Sequence, residues 1–260
     1  MALSSQLDRD LLMVGMCAKT WRVGTRVRKE PRLDEDDDGI TAQNLDAFIT
    51  EANVYLILGS SHPLIAQCTF IDPQKTYIEL EFYPRGNLRD YVKENCAKID
   101  RSQREIWGVQ MIQSVSYLHS KNVRHADLRL DQWLLDGTGK VRLCDFNSSG
   151  YDEQPNLGLK KKLASGLEGI GYYLPRSEDT DSSVMTDLFA LGSSLYELET
   201  NERPYSYLRE DEVVEELFTR GEFPSTVGLI FGNEISSCWN QNFKSAGEIL
   251  ASLKSHPSEI

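Results

Sequence analysis

A chain of 260 residues, 40% of them hydrophobic, is long enough to bury a core of its own without disulfide or metal staples. Its 28 lysines and arginines face 40 aspartates and glutamates, and a formal charge of −12 repels nucleic-acid backbones and anionic lipid, so neither is expected as a partner. The five cysteines are scattered and odd in number, which argues against a zinc site or a disulfide framework. No run of about 18 apolar residues occurs, and the opening "MALSSQLDRDLL" lacks the basic, apolar and small-residue order of a leader. The expectation is a soluble protein of the cytoplasm or nucleus.

In chain order, short apolar or alternating runs over 10–15, 19–24 and 25–31, punctuated by Gly15, Gly24 and Pro31, predict three strands. The acidic run 34–39 is expected to be a solvated loop. Over 43–58, Leu45, Phe48, Ile49, Ala52, Tyr55 and Leu56 recur three or four apart and predict one apolar helix face. Two more strands follow at 64–72 and 76–83, and "PRGN" at 84–87 carries the turn residues of a connector between two lobes, 1–84 and 85–260.

Ser102 and Glu105 fit a capping box that opens a helix with Ile106, Val109, Ile112 and Val115 inward as far as Leu118. Residues 133–146 read as a hairpin closed by "GTGK", and helices are predicted over 187–200 and 245–254. The fold class is α+β: a small strand-rich lobe with one helix, then a larger helical lobe with one hairpin.

Taken singly, the polar residues here are unremarkable. Lys29 on a strand is ordinarily a surface lysine, Glu51 an exposed helix charge, Asp127 and Asp145 turn residues, and Lys160 to Lys162 a solvated loop. Their order along the chain is what stands out. Phosphoryl transfer from ATP needs a cation on the phosphates, oxygen ligands for Mg²⁺, an acid facing the incoming hydroxyl and a slot for adenine.

"HADLRLDQWLL", followed by "DFN", resembles the HRDLxxxxN catalytic loop and DFG segment of the protein kinase family, and the likeness runs through residues 11 to 253. The resemblance implies a two-lobed kinase fold, ATP and Mg²⁺ as cofactors, and a protein substrate. It implies that Asp127 orients or accepts the proton of the substrate hydroxyl, that Arg129 stabilises charge on the transferring phosphate, and that Asp145 and Gln132 hold the metal. Arg129 stands where serine/threonine-specific members carry lysine.

"VRKEP" resembles the lysine strand, which makes Lys29 the phosphate-binding cation, Val27 part of the adenine ceiling and Glu51 the ion-pair partner of Lys29. "ELEFYPRGNLRDYV" resembles the hinge: Leu80 as gatekeeper, backbone groups of Glu81 and Tyr83 on the adenine edge, and Leu134 as the floor. His125 is implied to be structural, Tyr55 and Phe146 to stack between the lobes, and Asp187 to brace the catalytic loop.

The sequence also departs from the family pattern. Where a GxGxxG phosphate loop is expected, only Gly15 is suitably placed, with Cys17, Ala18 and Lys19 around it; Lys19 is the candidate to compensate. Ala126 replaces the arginine that receives an activation-loop phosphate, so such switching loses its acceptor. Gln132 replaces asparagine on a stem one methylene longer. Asn147 replaces the DFG glycine and is expected to take up left-handed backbone. Arg176 replaces the glutamate of the APE segment, with Glu248 as its candidate partner. Two functions are therefore weighed, an active serine/threonine kinase and a pseudokinase scaffold, with a small-molecule kinase as a third class.

Overall fold

The computed structural model describes residues 9–177 and 179–255, so the reading made on the opening segment falls largely outside the described residues. The first half builds a five-stranded antiparallel sheet in the order β1-β2-β3-β5-β4. Its strands are β1 (Arg9–Val14), β2 (Ala18–Val23), β3 (Arg26–Pro31), β4 (Cys68–Ile71) and β5 (Ile78–Glu81), with α1 (Asp38–Leu58) between β3 and β4.

Strand alternation explains how β3 serves two faces. Val27 and Lys29 are buried, while Arg26 and Arg28 lie on the other side and bond Glu79 of β5 at 2.9 and 2.7 Å. On α1, Phe48, Ala52 and Tyr55 are buried as predicted and Ile49 and Leu56 are exposed, while Thr50, Glu51, Asn53, Val54 and Leu58 are also buried, so the middle of the helix is covered on more than one face. The acidic run is not merely a loop. Asp37 caps α1, its side chain accepting from Gly39 and Ile40 N–H, and Asp34 accepts from Asp36 and Asp37 N–H. Carboxylates suit that helix end, where unpaired N–H groups carry partial positive charge.

The predicted strand over 64–72 divides. Only Cys68–Ile71 joins the sheet, while Leu64 and Ala66 exchange backbone bonds with Leu143 of the hairpin at 2.9 and 2.8 Å, tying the two halves together.

The second half is helical: α2 (Leu88–Asn95), α3 (Arg101–Ser120), α4 (Val184–Thr200), α5 (Asp211–Thr219), α6 (Gly232–Trp239) and α7 (Ala246–Ser255). Two short two-stranded pieces lie among them, β6 (Val123–Arg124) with β9 (Gly150–Tyr151), and β7 (Trp133–Leu135) with β8 (Val141–Leu143). The cap of α3 is Asp100, which accepts from Gln103 N–H, and not the predicted Ser102 and Glu105 box; the Ser102 hydroxyl donates to Asp100 instead. The predicted inward face of α3 holds at Ile112, Val115 and Leu118 and fails at Ile106. Trp107, Met111, Ile112, Val115 and Leu118 are buried, and Ile106 is half exposed. Gly108 lets the Phe231 ring press on the helix where any Cβ would come within 2.2 Å of it.

Helix α4 carries the brace of the loop that bears Asp127. Its buried Asp187 accepts from the N–H of His125 at 2.8 Å and of Ala126 at 2.9 Å, and from His119 Nε2 at 2.8 Å. Ala126 sits at φ +61°, a conformation that costs a non-glycine residue about 1 kcal/mol and that these bonds hold in place. Burial alone would push the Asp187 carboxyl up, but His119, the nearby His125 ring and the Ala126 amide outweigh it and hold the group below its usual range.

A depressed carboxylate contributes stability above its unfolded value of about 3.9 and loses it as pH falls further. Asp187→Asn is therefore expected to lower the unfolding free energy by about 3 kcal/mol at neutral pH. It should also flatten the fall in stability below pH ~4, as read in urea melts across pH.

Candidate active site

A cleft of about 560 Å³ lies between the sheet and the helical half, and it gathers residues from eight separate stretches of chain. All twelve candidate residues line it: Gly15, Val27, Lys29, Glu51, Leu80, Glu81, Tyr83, Asp127, Arg129, Gln132, Leu134 and Asp145. Five carboxylates face only two cations on the wall, Glu51, Glu81, Asp127, Asp131 and Asp145 against Lys29 and Arg129.

Lys29 is the centre of the cleft's electrostatics. Its Nζ lies 2.7 Å from Glu51 Oε2 and 2.6 Å from Asp145 Oδ1, joining β3, α1 and the segment after β8. Burial would push this ammonium down, but the two carboxylates outweigh it and hold it above its usual value. Burial raises Glu51 despite Lys29, whereas Asp145 is held low because Lys29 overcomes the effect of burial there. Asp145 itself adopts φ +62°. The left-handed turn thus falls on Asp145 and not, as the sequence suggested, on Asn147, which instead donates Nδ2 to Asp145 Oδ1 at 3.1 Å.

The loop after β6 places Asp127 opposite. Its Oδ2 accepts from Gln132 Nε2 at 3.0 Å and faces Arg129 Nη2 at 3.3 Å, while Oδ1 is buried without a partner. Burial is the largest influence on this carboxyl, and with Asp145 and Asp131 nearby it is pushed up to about 7 despite Arg129 and Gln132. His125 is fully buried, its Nε2 within 3.0 Å of the Cys144 carbonyl, and Tyr55 meets Phe146 edge to face at 5.1 Å.

The apolar end of the cleft suits a flat heterocycle. Val27 and Leu80 pair across β3 and β5, and Leu134 packs with Ala66, Tyr83 and Cys144 on the opposite wall. Glu81 N–H donates to the Gln67 carbonyl and the Tyr83 carbonyl accepts from Gly86 N–H. The Glu81 carbonyl and the Tyr83 N–H are then the hinge groups that can meet a base edge.

The phosphate-loop region is a short turn. Gly15 N–H donates to the Ala18 carbonyl at 2.8 Å, and a Cβ on Gly15 would meet nothing closer than 3.4 Å, so this glycine is not needed for the backbone shape. Lys19 is exposed and does not line the cleft: alternation along β2 turns Ala18 and Thr20 inward and Lys19 outward, so it cannot compensate for the missing glycines.

Among the described residues no cluster of three or more His, Cys, Asp or Glu side chains forms an all-protein metal cage. Asp145 and the Gln132 amide oxygen nevertheless offer oxygen donors in an acid-rich cleft. That set fits a small hard cation which completes its shell with phosphate oxygens and water.

Comparison with known proteins agrees with this geometry. Residues 14–253 match the protein kinase domain family. The chain belongs to the protein kinase family. It is 28% identical over 239 residues to the probable serine/threonine-protein kinase SIS8 of Arabidopsis thaliana, covering 89% of this chain and 23% of that protein. It is 23% identical over 219 residues to protein kinase C-like 1 of Caenorhabditis elegans, covering 83% and 30%. With protein kinase C eta type of Homo sapiens it shares 25% over 198 residues, covering 73% and 26%. The kinase domain thus spans about a quarter of the length of the relatives it matches.

Several pairings around this kinase cleft escape sequence reasoning. Arg176 pairs with Glu168 at 3.0 Å and with Ser182 Oγ at 3.2 Å, not with Glu248, which instead accepts from Lys244 N–H at the start of α7. Arg124 bonds Asp152 at 2.7 Å beside the loop whose arginine is replaced by Ala126. Lys162, taken as part of a solvated run, reaches Asp46 of α1 at 2.5 Å, and Asn53 of the same helix donates to the Tyr151 hydroxyl at 2.8 Å. The five cysteines are free thiols, three of them buried.

A carboxyl with a raised pKa stabilises the fold fully below its unfolded value of about 3.9 and loses that stability as pH rises through the folded value. Asp127→Asn is therefore expected to raise the melting temperature at pH 8, by roughly 3 °C for each kcal/mol of relieved burial. The gain should shrink towards pH 5 in a thermal melt series.

Proposed function

We propose that this chain is the catalytic domain of a serine/threonine protein kinase that transfers the γ-phosphoryl group of ATP to a protein hydroxyl with Mg²⁺. The observation that carries the reading is the unpartnered Asp127 Oδ1, buried in the same cleft as the Lys29 and Asp145 ion pair. A carboxylate with one oxygen fixed by Gln132 and the other open can orient a substrate hydroxyl and take its proton. A carboxyl pushed up to about 7 is basic enough to do so near neutrality.

Arg129, 3.3 Å from Asp127, places a cation where negative charge develops, and Lys29 presents another at the opposite wall. Asp145 and Gln132 are the residues that would hold Mg²⁺, which supplies neutralisation of phosphate charge when bound. The acid-rich wall supports its need, because a polyphosphate entering alone would meet net repulsion. The brace on Asp187 keeps the loop that bears Asp127 and Arg129 in register without a bound activation-loop phosphate.

Serine/threonine specificity is supported by Arg129 at the position of the family's lysine and by the printed names of two relatives, the probable serine/threonine-protein kinase SIS8 and a probable serine/threonine-protein kinase of Dictyostelium discoideum. Among the described residues no helix is long and apolar enough to cross a membrane. The proposed setting is the cytoplasm or nucleus, with residues 1–84 and 85–260 as the two lobes.

One observation favours a second reading, a pseudokinase scaffold: both cleft acids already hold side-chain amides, Gln132 on Asp127 and Asn147 on Asp145, at positions the family gives to asparagine and glycine. Radiolabel transfer from ATP to a mixed serine- and threonine-bearing protein substrate separates the two. Catalysis predicts Mg²⁺-dependent transfer that Asp127→Asn lowers by about 10²-fold or more, with kcat/KM rising as pH passes through about 7. Equal residual signal in parent and variant supports the scaffold.

A further inference from the structure

A second cavity, of about 350 Å³, opens between the catalytic loop, α2, the Gly169 to Tyr172 segment and the turn that follows α4. Arg129 lines both cavities, so a polypeptide that presents a hydroxyl to Asp127 runs past the second. Its wall carries Arg89, Lys93, Arg129 and Arg203 against Glu197 and Glu202, a local excess of cations in a chain of formal charge −12.

The buried acid of this wall is already engaged. Arg89 grips Glu197 through Nε to Oε1 at 2.7 Å and Nη2 to Oε2 at 3.3 Å, and the Tyr172 hydroxyl donates to Glu197 Oε2 at 2.5 Å. The remaining arm of Arg89 holds Asp131 at 2.7 Å, and Arg129 lies within 3.4 Å of the same residue. An arginine on an incoming peptide would have to displace this fork from a carboxylate that is almost fully buried, which a planar bidentate pair resists. Lys93 and Arg203 are exposed and, among the described residues, pair with no carboxylate. Against them stands one acid without a cationic partner, Glu202 at the rim.

We propose that this cavity receives an anionic side chain of the protein substrate, a carboxylate or a phosphate flanking the acceptor hydroxyl, and makes the kinase acid-directed. The assignment rests on the protein-kinase reading of the cleft. Arg89 acts as an internal counter-ion that turns an acidic wall into one that favours anions, with Lys93 and Arg203 as the specificity-determining cations.

The test reads binding apart from transfer. Fluorescent peptides with alanine at the acceptor position and aspartate, phosphoserine, alanine or arginine on its flanks are titrated with the full chain by anisotropy, at ~0.05 M and ~0.5 M salt. The anionic peptides should bind at least about 5-fold tighter than the arginine peptide at low salt, and the advantage should shrink at high salt. Lys93→Ala and Arg203→Ala should each lower the ratio about twofold, and Lys93→Glu with Arg203→Glu should bring it to one or invert it.

The tighter of the aspartate and phosphoserine peptides names the source of the negative charge. Equal binding, preference for arginine, or an anionic preference that survives the double reversal overturns the proposal. Loss of the preference in a chain that still transfers phosphate sinks this cavity alone; acid-selective binding in a chain with no transfer keeps the cavity and sinks the kinase reading.

Discussion

One ammonium group between two carboxylates organises this molecule. Lys29 comes from a strand, Glu51 from a helix and Asp145 from a segment more than a hundred residues further on, and their 2.6 and 2.7 Å contacts fix how the sheet faces the helical half. Removing Lys29 leaves two buried carboxylates without a counter-ion, which is far more costly than the intact triad. Because Lys29 is shared, neither acid is fully neutralised, and the cleft keeps negative potential into which a hard cation and a polyphosphate can enter together.

The supports around that triad are arranged so that few of its members can move independently. Tyr55, one turn after Glu51 on α1, meets the ring of Phe146, which follows Asp145 directly, so α1 and the segment after β8 share a packing contact as well as a charge. Asp187 holds the neighbouring loop through two amides and His119, and His125 closes against the Cys144 carbonyl. Contacts of Asp46 with Lys162 and of Asn53 with Tyr151 then dock the segment after β8 on α1 by acid, base and amide groups present in the chain itself. That docking is physically consistent with the absence of an arginine at Ala126, since fixed side chains do the holding that a phosphate would otherwise do.

Much of this was legible in the sequence where the signal is local. Alternation in "VRKEP" places Val27 and Lys29 on one face, and helical spacing places Glu51 and Tyr55 on one face; both hold in the structure. Family order along the chain supplied the rest of the cleft. Charge pairs between distant segments left no such trace. Nothing in the spacing links Arg89 to Glu197, and Arg176 was matched to Glu248 when its partner, Glu168, lay eight residues upstream. Helix starts were misjudged for a related reason: any serine, aspartate or asparagine near an N-terminus fits a cap, and Asp37 and Asp100 occupy positions that a loop or Ser102 could equally have claimed. The left-handed turn fell on Asp145, because the tertiary hold of Lys29 overrides the local preference that favoured Asn147.

The central claim, that Lys29 and Asp145 act as one unit on a shared nucleotide and metal, is tested most directly by calorimetric titration of ATP, with and without Mg²⁺, into the parent, Lys29→Ala, Asp145→Ala and the double variant. The account predicts Mg²⁺-dependent binding in the parent, a marked loss in each single variant, and a double variant little worse than either, because removing one partner already dismantles the unit. Losses that simply add, or binding indifferent to Mg²⁺ and to both substitutions, would contradict it.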